Sequence, residues 1–352
     1  MASRGVGLVV AGLSLLLTGC VQLAVQQIVT PPAAAPMAYQ ADMEAHTGVT
    51  TATWQAPDGV QLAWRNVPAA RRGFQYVFQR QGNGAGFDFE LSGQPEPLPE
   101  VGTVVYLHGW GLDGASMLPW AFALSQQGWH GISVDLRHHG QSSPAPVGYG
   151  PREAADVAGL LTALRDQGRL KPPVFLLGVS YGATTALLTE RALAGQVRGI
   201  IALQPYVNAA DAVRAALRRT ADASGPIGWL ASYYSGGRLE PLIDAANDRL
   251  GLNLRAIDLR AAVGQSQTCT LILHGSDDRL LPAAASQALA AGHARVRYVA
   301  VPGHDHLTLP MRVDWLGPAL ADWMAAVGTG AGCPRDWQLP AEAGGAGMAS
   351  EG

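Results

Sequence analysis

Between residues 103 and 328, short apolar runs alternate with helical stretches, and few folds accommodate that rhythm. In order they read TVVYLHG, SMLPWAFALSQQG, HGISVDL, Pro151 to Gln167, VFLLGVS, ATTALLTERALAG and VRGIIALQP. After a break come TCTLILHG, AAASQALAAG, VRYVAVPG and RVDWLGPALADWMAAVG. Short runs without polar alternation are what strands covered on both faces look like. Set between helices, they predict an α/β chain with a doubly wound, mostly parallel sheet. The break, residues 208–262, is polar helical material rich in Ala, Arg and Asp. An insertion between two strands, on the side where such sheets bind ligands, is expected to act as a helical cap. Upstream, TATWQAP and VQLAWRNV flank Asp58-Gly59 and read as a hairpin with a tight DG turn. QYVFQR and FDFELSG, separated by QGNGAG, read as a second hairpin, and QPEPLPE (94–100) reads as a linker.

Reactive side chains gather where the predicted strands end. VFLLG leads into Ser180 within G-V-S-Y-G, and a helix-forming stretch follows at once. A serine on so sharp a turn needs small neighbours, which Gly178 and Gly182 provide, and the helix N-terminus beyond it offers N–H groups to a developing negative charge. TVVYLHGWG ends its strand in His108-Gly109-Trp110-Gly111. An oxyanion needs two converging backbone donors, and the amides of Trp110 and Tyr181 are the candidates. His108 itself is expected to be a hydrogen-bonded structural histidine. LILHGSDDRLLP (271–282) ends in adjacent carboxylates, Asp277 and Asp278, either of which would orient an imidazole. VRYVAVPGHDHLTLP (296–310) then offers His304 and His306, with Asp305 between them too close in sequence to face either.

The order Ser, acid, His, each just past a strand, resembles the α/β-hydrolase fold family of esterases, lipases and serine aminopeptidases, over roughly residues 50–327. The resemblance implies a Ser180, Asp278, His306 triad. The family's G-x-x-D-x-x-x-P pattern falls on Gly275, Asp278 and Pro282, and its G-x-x-H pattern on Gly303 and His306. DLRHHGQSS (135–143) resembles the loop D-x-R-G-x-G-x-S, with His138 where the family has glycine, so that the local backbone is expected to differ. The function implied is hydrolysis of a carboxylic ester through an acyl-enzyme on Ser180. Amide or peptide cleavage by the same triad, or a non-catalytic binding protein on this fold, are the alternatives. No cofactor is implied, and the histidine pairs lack a carboxylate or cysteine cluster at zinc-like spacing.

A net charge of -3 and a pI near 6.3 give no basic field for nucleic acid. The first residues carry MASR, then the apolar stretch GVGLVVAGLSLLL (5–17), shorter than the about 20 residues of a spanning helix. Leu17-Thr18-Gly19-Cys20 resembles the lipobox of bacterial lipoproteins. That resemblance implies cleavage before Cys20 (residues 1–19 a signal peptide), a lipid anchor on Cys20 and attachment to the cell envelope. Val21 in place of an aspartate favours the outer membrane. Residues 20–50, with TPPAAAP, are expected to be a tether, 51–328 the hydrolase domain, and 329–352 a disordered tail. Cys269, in a predicted central strand, is expected to be a free buried thiol, pairing with Cys333 being the alternative. Trp229, Tyr233 and Tyr234 of the insertion are candidates either to line an apolar pocket or to pack.

Overall fold

The run TVVYLHG forms β5 (Gly102–Leu107), buried along its length between two parallel neighbours, β6 (Trp129–Val134) and β7 (Val174–Val179). The computed structural model describes residues 21–34, 40, 41, 44, 48–81, 84–193, 195–221, 239–330 and 332–342. Past β7 the sheet continues in parallel through β8 (Gly199–Leu203), β9 (Cys269–Gly275) and β10 (Val296–Val301). Past β6 it turns antiparallel, through β2 (Gln61–Val67) to β1 (Thr50–Gln55). The result is an eight-stranded mixed sheet in the order β1-β2-β6-β5-β7-β8-β9-β10, mostly parallel as its apolar runs require. The β1–β2 turn has Gly59 at φ 87°, a conformation that glycine adopts without steric cost. The second hairpin, β3 (Ala70–Gln81) and β4 (Gly84–Pro97), is a sheet of its own. It extends into the segment expected to be a linker, because a register shift between Arg71 and Gly73 lets pairing resume at Arg71 with Glu96.

Alternate residues of each strand enter different cores. Val105, Leu107 and Leu176 belong to one apolar cluster, and Val104, Tyr106, Phe175 and Leu177 to the other, as a period of two dictates. The first cluster is closed by α3 (Pro151–Asp166), α4 (Tyr181–Leu193) and α8 (Ala283–Ala290). The second is closed by α2 (Leu118–Ser125) and α9 (Val313–Gly328). This is the doubly wound arrangement. Between β8 and β9 the insertion supplies α5 (Ala209–Ala221), α6 (Leu239–Leu250) and α7 (Leu259–Gly264). Cys20, the rest of the leader, and Trp229, Tyr233 and Tyr234 lie outside the described residues.

Parts of two segments expected to be loose are packed instead, among the described residues. The stretch read as a tether begins with α1, a helix over residues 21–29, in which Val25 and Ile28 are buried. Val21, Ala24, Val25 and Ile28 recur at helical spacing, a short apolar stripe that the alanines and prolines downstream obscure. At the other end, Cys269 is not a free thiol. It is joined to Cys333, with the two Cα atoms 5.3 Å apart. Cys269 is the first residue of β9, and Cys333 follows the end of α9 by five residues, so the bond ties the chain leaving α9 to the start of that strand. Within the tail expected to be disordered, Trp337 and Leu339 pack on the second cluster. The Trp315 indole donates to the carbonyl of Pro340 (3.0 Å), and Arg312 pairs with Glu342.

Candidate active site

Ser180 stands at the point where β7 becomes α4, with φ 50°. A non-glycine residue in this left-handed region costs about 1–3 kcal/mol and persists only where its surroundings fix it. Here they do. The Ser180 amide donates to the carbonyl of Leu203 (2.8 Å) on β8, and the Ser180 carbonyl accepts from Thr184 (3.0 Å) in α4. A Cβ on Gly178 would come within 2.3 Å of the Gly182 oxygen, and one on Gly182 within 2.1 Å of the Leu107 oxygen. Both glycines of the motif are therefore demanded by close backbone approach.

The Ser180 hydroxyl meets the third strand-end loop. Ser180 Oγ lies 3.0 Å from His306 Nε2, and His306 Nδ1 lies 2.7 Å from Asp278 Oδ2. Asp278 is buried, whereas Asp277 is exposed. Burial opposes the charge on Asp278, but hydrogen bonds from His274 and His306 and from the Leu281 amide outweigh it and hold the carboxyl well below its ordinary range. Asp278 thus stays anionic beside an imidazole whose Nδ1 must carry the proton, leaving Nε2 as the acceptor facing Ser180. His304, the competing base, points elsewhere. Its ring lies against Trp315, its Nε2 is 3.2 Å from Glu342, and burial pushes its pKa down to about 4, Arg312 and Arg80 nearby adding to the shift. Asp305 closes the turn that carries His306, accepting the amides of Leu307 (3.0 Å) and Thr308 (2.8 Å).

The turn after β5 lies against Ser180: a Cβ placed on Gly109 would sit 4.0 Å from that of Ser180. The Trp110 ring stacks on Tyr149 (5.2 Å between centroids) and meets Tyr181 edge-on (5.3 Å), which fixes the turn. Among the described residues the amides of Trp110 and Tyr181 have no acceptor. His108 is structural, as expected. Burial lowers its pKa, its Nδ1 donates to the Gly109 carbonyl (2.8 Å), and its Nε2 accepts the Leu136 amide (3.0 Å). His138 takes a left-handed backbone conformation (φ 66°), uncommon for a residue other than glycine, and its Nδ1 lies 2.7 Å from the Ala145 carbonyl.

A serine hydroxyl, an imidazole and a buried carboxylate thus meet at the C-terminal edge of a parallel sheet, next to the Trp110 turn and the start of α4. The sequence model of the alpha/beta hydrolase family matches residues 104–317. The chain belongs to the alpha/beta hydrolase family. It is a hydrolytic enzyme, similar over 253 residues (28% identity, 64% of this chain and 95% of the relative) to a pimeloyl-[acyl-carrier protein] methyl ester esterase of Xanthomonas oryzae. In fold it is similar to an esterase of Pyrococcus furiosus, with a TM-score of 0.60 at 16% identity, covering 85% of this chain and 99% of that one. It is likewise similar to a membrane phospholipase A described as a bacterial virulence factor, with a TM-score of 0.55 at 17% identity, covering 92% of this chain and 97% of that one.

Two residues of this alpha/beta hydrolase that no motif singled out also hold the site. His274, fully buried in β9, brings Nε2 to 3.0 Å from Asp278 Oδ2 and 2.6 Å from the Leu281 carbonyl, while its Nδ1 lies 3.0 Å from the Ser286 hydroxyl. Gln204, at φ 53° just past β8, donates from Nε2 to the His306 carbonyl (2.9 Å) and accepts the Gly275 amide at Oε1 (3.3 Å). His274 was visible only as part of LILHG, and Gln204 carried no signal at all. Above Ser180 opens a cavity of about 900 Å³, near the top of the roughly 300–1,000 Å³ range of ligand pockets. Its walls are mostly apolar: Trp120 and Met311, Tyr76 and Phe87 of the second hairpin, Val213 and Leu217 of α5, and Leu23 and Ile28 of α1.

Proposed function

We propose that this protein hydrolyses carboxylic esters through an acyl-enzyme on Ser180. The hydroxyl attacks the ester carbonyl while His306 Nε2 takes its proton, and Asp278 holds the imidazole in the required tautomer and balances its charge. The Trp110 and Tyr181 amides receive the charge on the carbonyl oxygen. His306 then returns its proton to the departing alcohol, and water, deprotonated by the same imidazole, releases the acid. The observation that carries this reading is the continuous relay from Ser180 Oγ through His306 to Asp278, with contacts of 3.0 and 2.7 Å.

The cavity supports an apolar acyl group over a peptide. Among the described lining residues there is no aspartate or glutamate, which an aminopeptidase needs to hold a cationic amine, and the sole permanent charge is Arg219. The curated relatives, named as methyl ester esterases, favour the ester reading as well. The leader adds a location: with LTGC at 17–20, the mature chain is anchored by lipid on Cys20 to the cell envelope. Exchange of Cys20 for Ser should release the protein from membranes, and unchanged fractionation would refute that anchor.

The decisive experiment is hydrolysis of p-nitrophenyl esters from acetate to palmitate, with fluorophosphonate labelling alongside. Ser180→Ala and His306→Ala should each lower turnover by about 10⁴-fold or more, and Ser180→Ala should abolish labelling. Exchange of His304 for Ala should leave most of the activity. Labelling that survives in Ser180→Ala would mean that the nucleophile lies elsewhere.

A further inference from the structure

We propose, building on the reading of Ser180 as the nucleophile of an ester hydrolase, that the cavity draws its substrate from a bilayer: an acyl-ester lipid of the membrane against which the cavity mouth rests. Among the described residues, five large hydrophobic side chains are markedly exposed: Leu23, Val77, Val101, Leu112 and Leu307. Three of them, Leu23 (66% exposed), Leu112 (38%) and Leu307 (52%), also line the cavity over Ser180 and therefore form its rim. They come from three unrelated parts of the chain: α1, the loop after the Trp110 turn, and the residue after His306. Single exposed leucines need no explanation, but three converging on one opening describe a contact surface.

The occupant of that surface follows from how the chain enters the structure. GVGLVVAGLSLLL precedes α1, and a stretch of that composition seeks lipid rather than water, whether it is retained or replaced by acyl chains on Cys20. Leu23 lies two residues into α1, about 3 Å along the helix axis from its first residue. α1 is firmly seated. Tyr149 Oη donates to the Ile28 carbonyl (2.6 Å), Arg249 reaches the Gln26 side chain (3.1 Å), and Pro32 fills the space beside Gly111, 2.7 Å from where a Cβ would stand. The helix that directly follows the lipid-seeking segment is thus also a wall of the cavity, which places the rim close to the bilayer surface to which that segment ties the chain. Arg219 there presents a cation to anionic headgroups.

In the reaction, Ser180 Oγ bonds to the carbonyl carbon of the lipid ester, and the bond from that carbon to the alcohol oxygen breaks. The lipid alcohol leaves with the proton that His306 took from Ser180. Water then adds to the acyl-serine, restores the hydroxyl and releases the fatty acid. One ester and one water give one alcohol and one acid.

The test uses the full-length chain reconstituted into phosphatidylcholine vesicles containing some phosphatidylglycerol. A fluorogenic phosphatidylcholine is placed either in the host vesicles or in separate, protein-free ones, and p-nitrophenyl butyrate in solution is the reference. Hydrolysis in the host bilayer should exceed that in separate vesicles by about tenfold or more, since anchoring raises the effective concentration of lipid at the mouth. Equal rates would overturn the proposal. Absence of lipid hydrolysis, with butyrate still turned over by wild type and not by Ser180→Ala, would overturn the lipid substrate and leave the esterase standing. Absence of both activities would bring down the esterase reading itself. The double exchange Leu112→Ser/Leu307→Ser should lower the ratio of host-lipid to butyrate turnover, with circular dichroism reporting the fold. An unchanged ratio, or a detergent-stable dimer that this variant dissolves and so assigns the rim to a second copy, would also overturn it.

Discussion

At the scale of single residues, the site is held by groups that never touch a substrate. Asp278 Oδ1 accepts the amides of Leu280 (2.9 Å) and Leu281 (2.8 Å), and Oδ2 is shared by His306 and His274. A hydrogen bond to a charged group is worth about 1.5–3 kcal/mol, so His274→Ala should cut kcat by about ten- to a hundred-fold. The lost donor makes Asp278 more basic, so the acid limb of the kcat/KM profile should move to higher pH, a change that simple loosening of the core would not produce. An unmoved profile would reduce His274 to a packing residue. Gly182→Ala, which drives a methyl group into the Leu107 carbonyl, should abolish activity or folding outright. At this scale the sequence was most legible where geometry leaves no choice. Gly178, Ser180 and Gly182 could be placed because a sharp turn with close backbone approach dictates those residue types, whereas the choice of Asp278 over Asp277 and of His306 over His304 came from the resemblance to the hydrolase pattern. Gln204 could not, because any residue with a long amide in a loop reads the same until the sheet brings β8 beside β9.

At the scale of elements, the parallel strands were legible from their apolar runs, and so were both hairpins from their turns. The termini were not. α1 spans only residues 21–29, too short for periodicity to stand out, and what fixes it is tertiary packing on Tyr149. The C-terminal segment is rich in Gly and Ala, yet the disulfide, Trp337 and Leu339 tie it down. Joining Cys269 and Cys333 across a sequence separation of 64, the disulfide should contribute about 2–4 kcal/mol. Exchange of Cys333 for Ser should lower the urea midpoint accordingly, and a midpoint equal to that of wild type would mean that packing alone holds the tail.

At the scale of the whole molecule, neutral buried histidines set the response to acid. His139 is pushed down to about 3 by burial, with His108 beside it contributing, and His304 to about 4. The unfolded chain binds protons at both near the ordinary value of about 6.5, so between there and about pH 4 it holds more protons than the folded one. Stability therefore falls as pH drops through that window, by up to about 1.4 kcal/mol per pH unit for each group. Asp278, depressed in its folded state, adds a further loss only at lower pH. Thermal melts from pH 7 to pH 4 test this, and a constant midpoint would contradict it. The bond between Cys269 and Cys333 has one more consequence, for the bench. A protease cut anywhere after Gly328 and before Cys333 severs the chain without releasing the tail, and Glu342 stays beside Arg312 and His304. Such material would migrate as one band without reductant and as a shortened chain with it, its cleavage hidden until the thiols are freed.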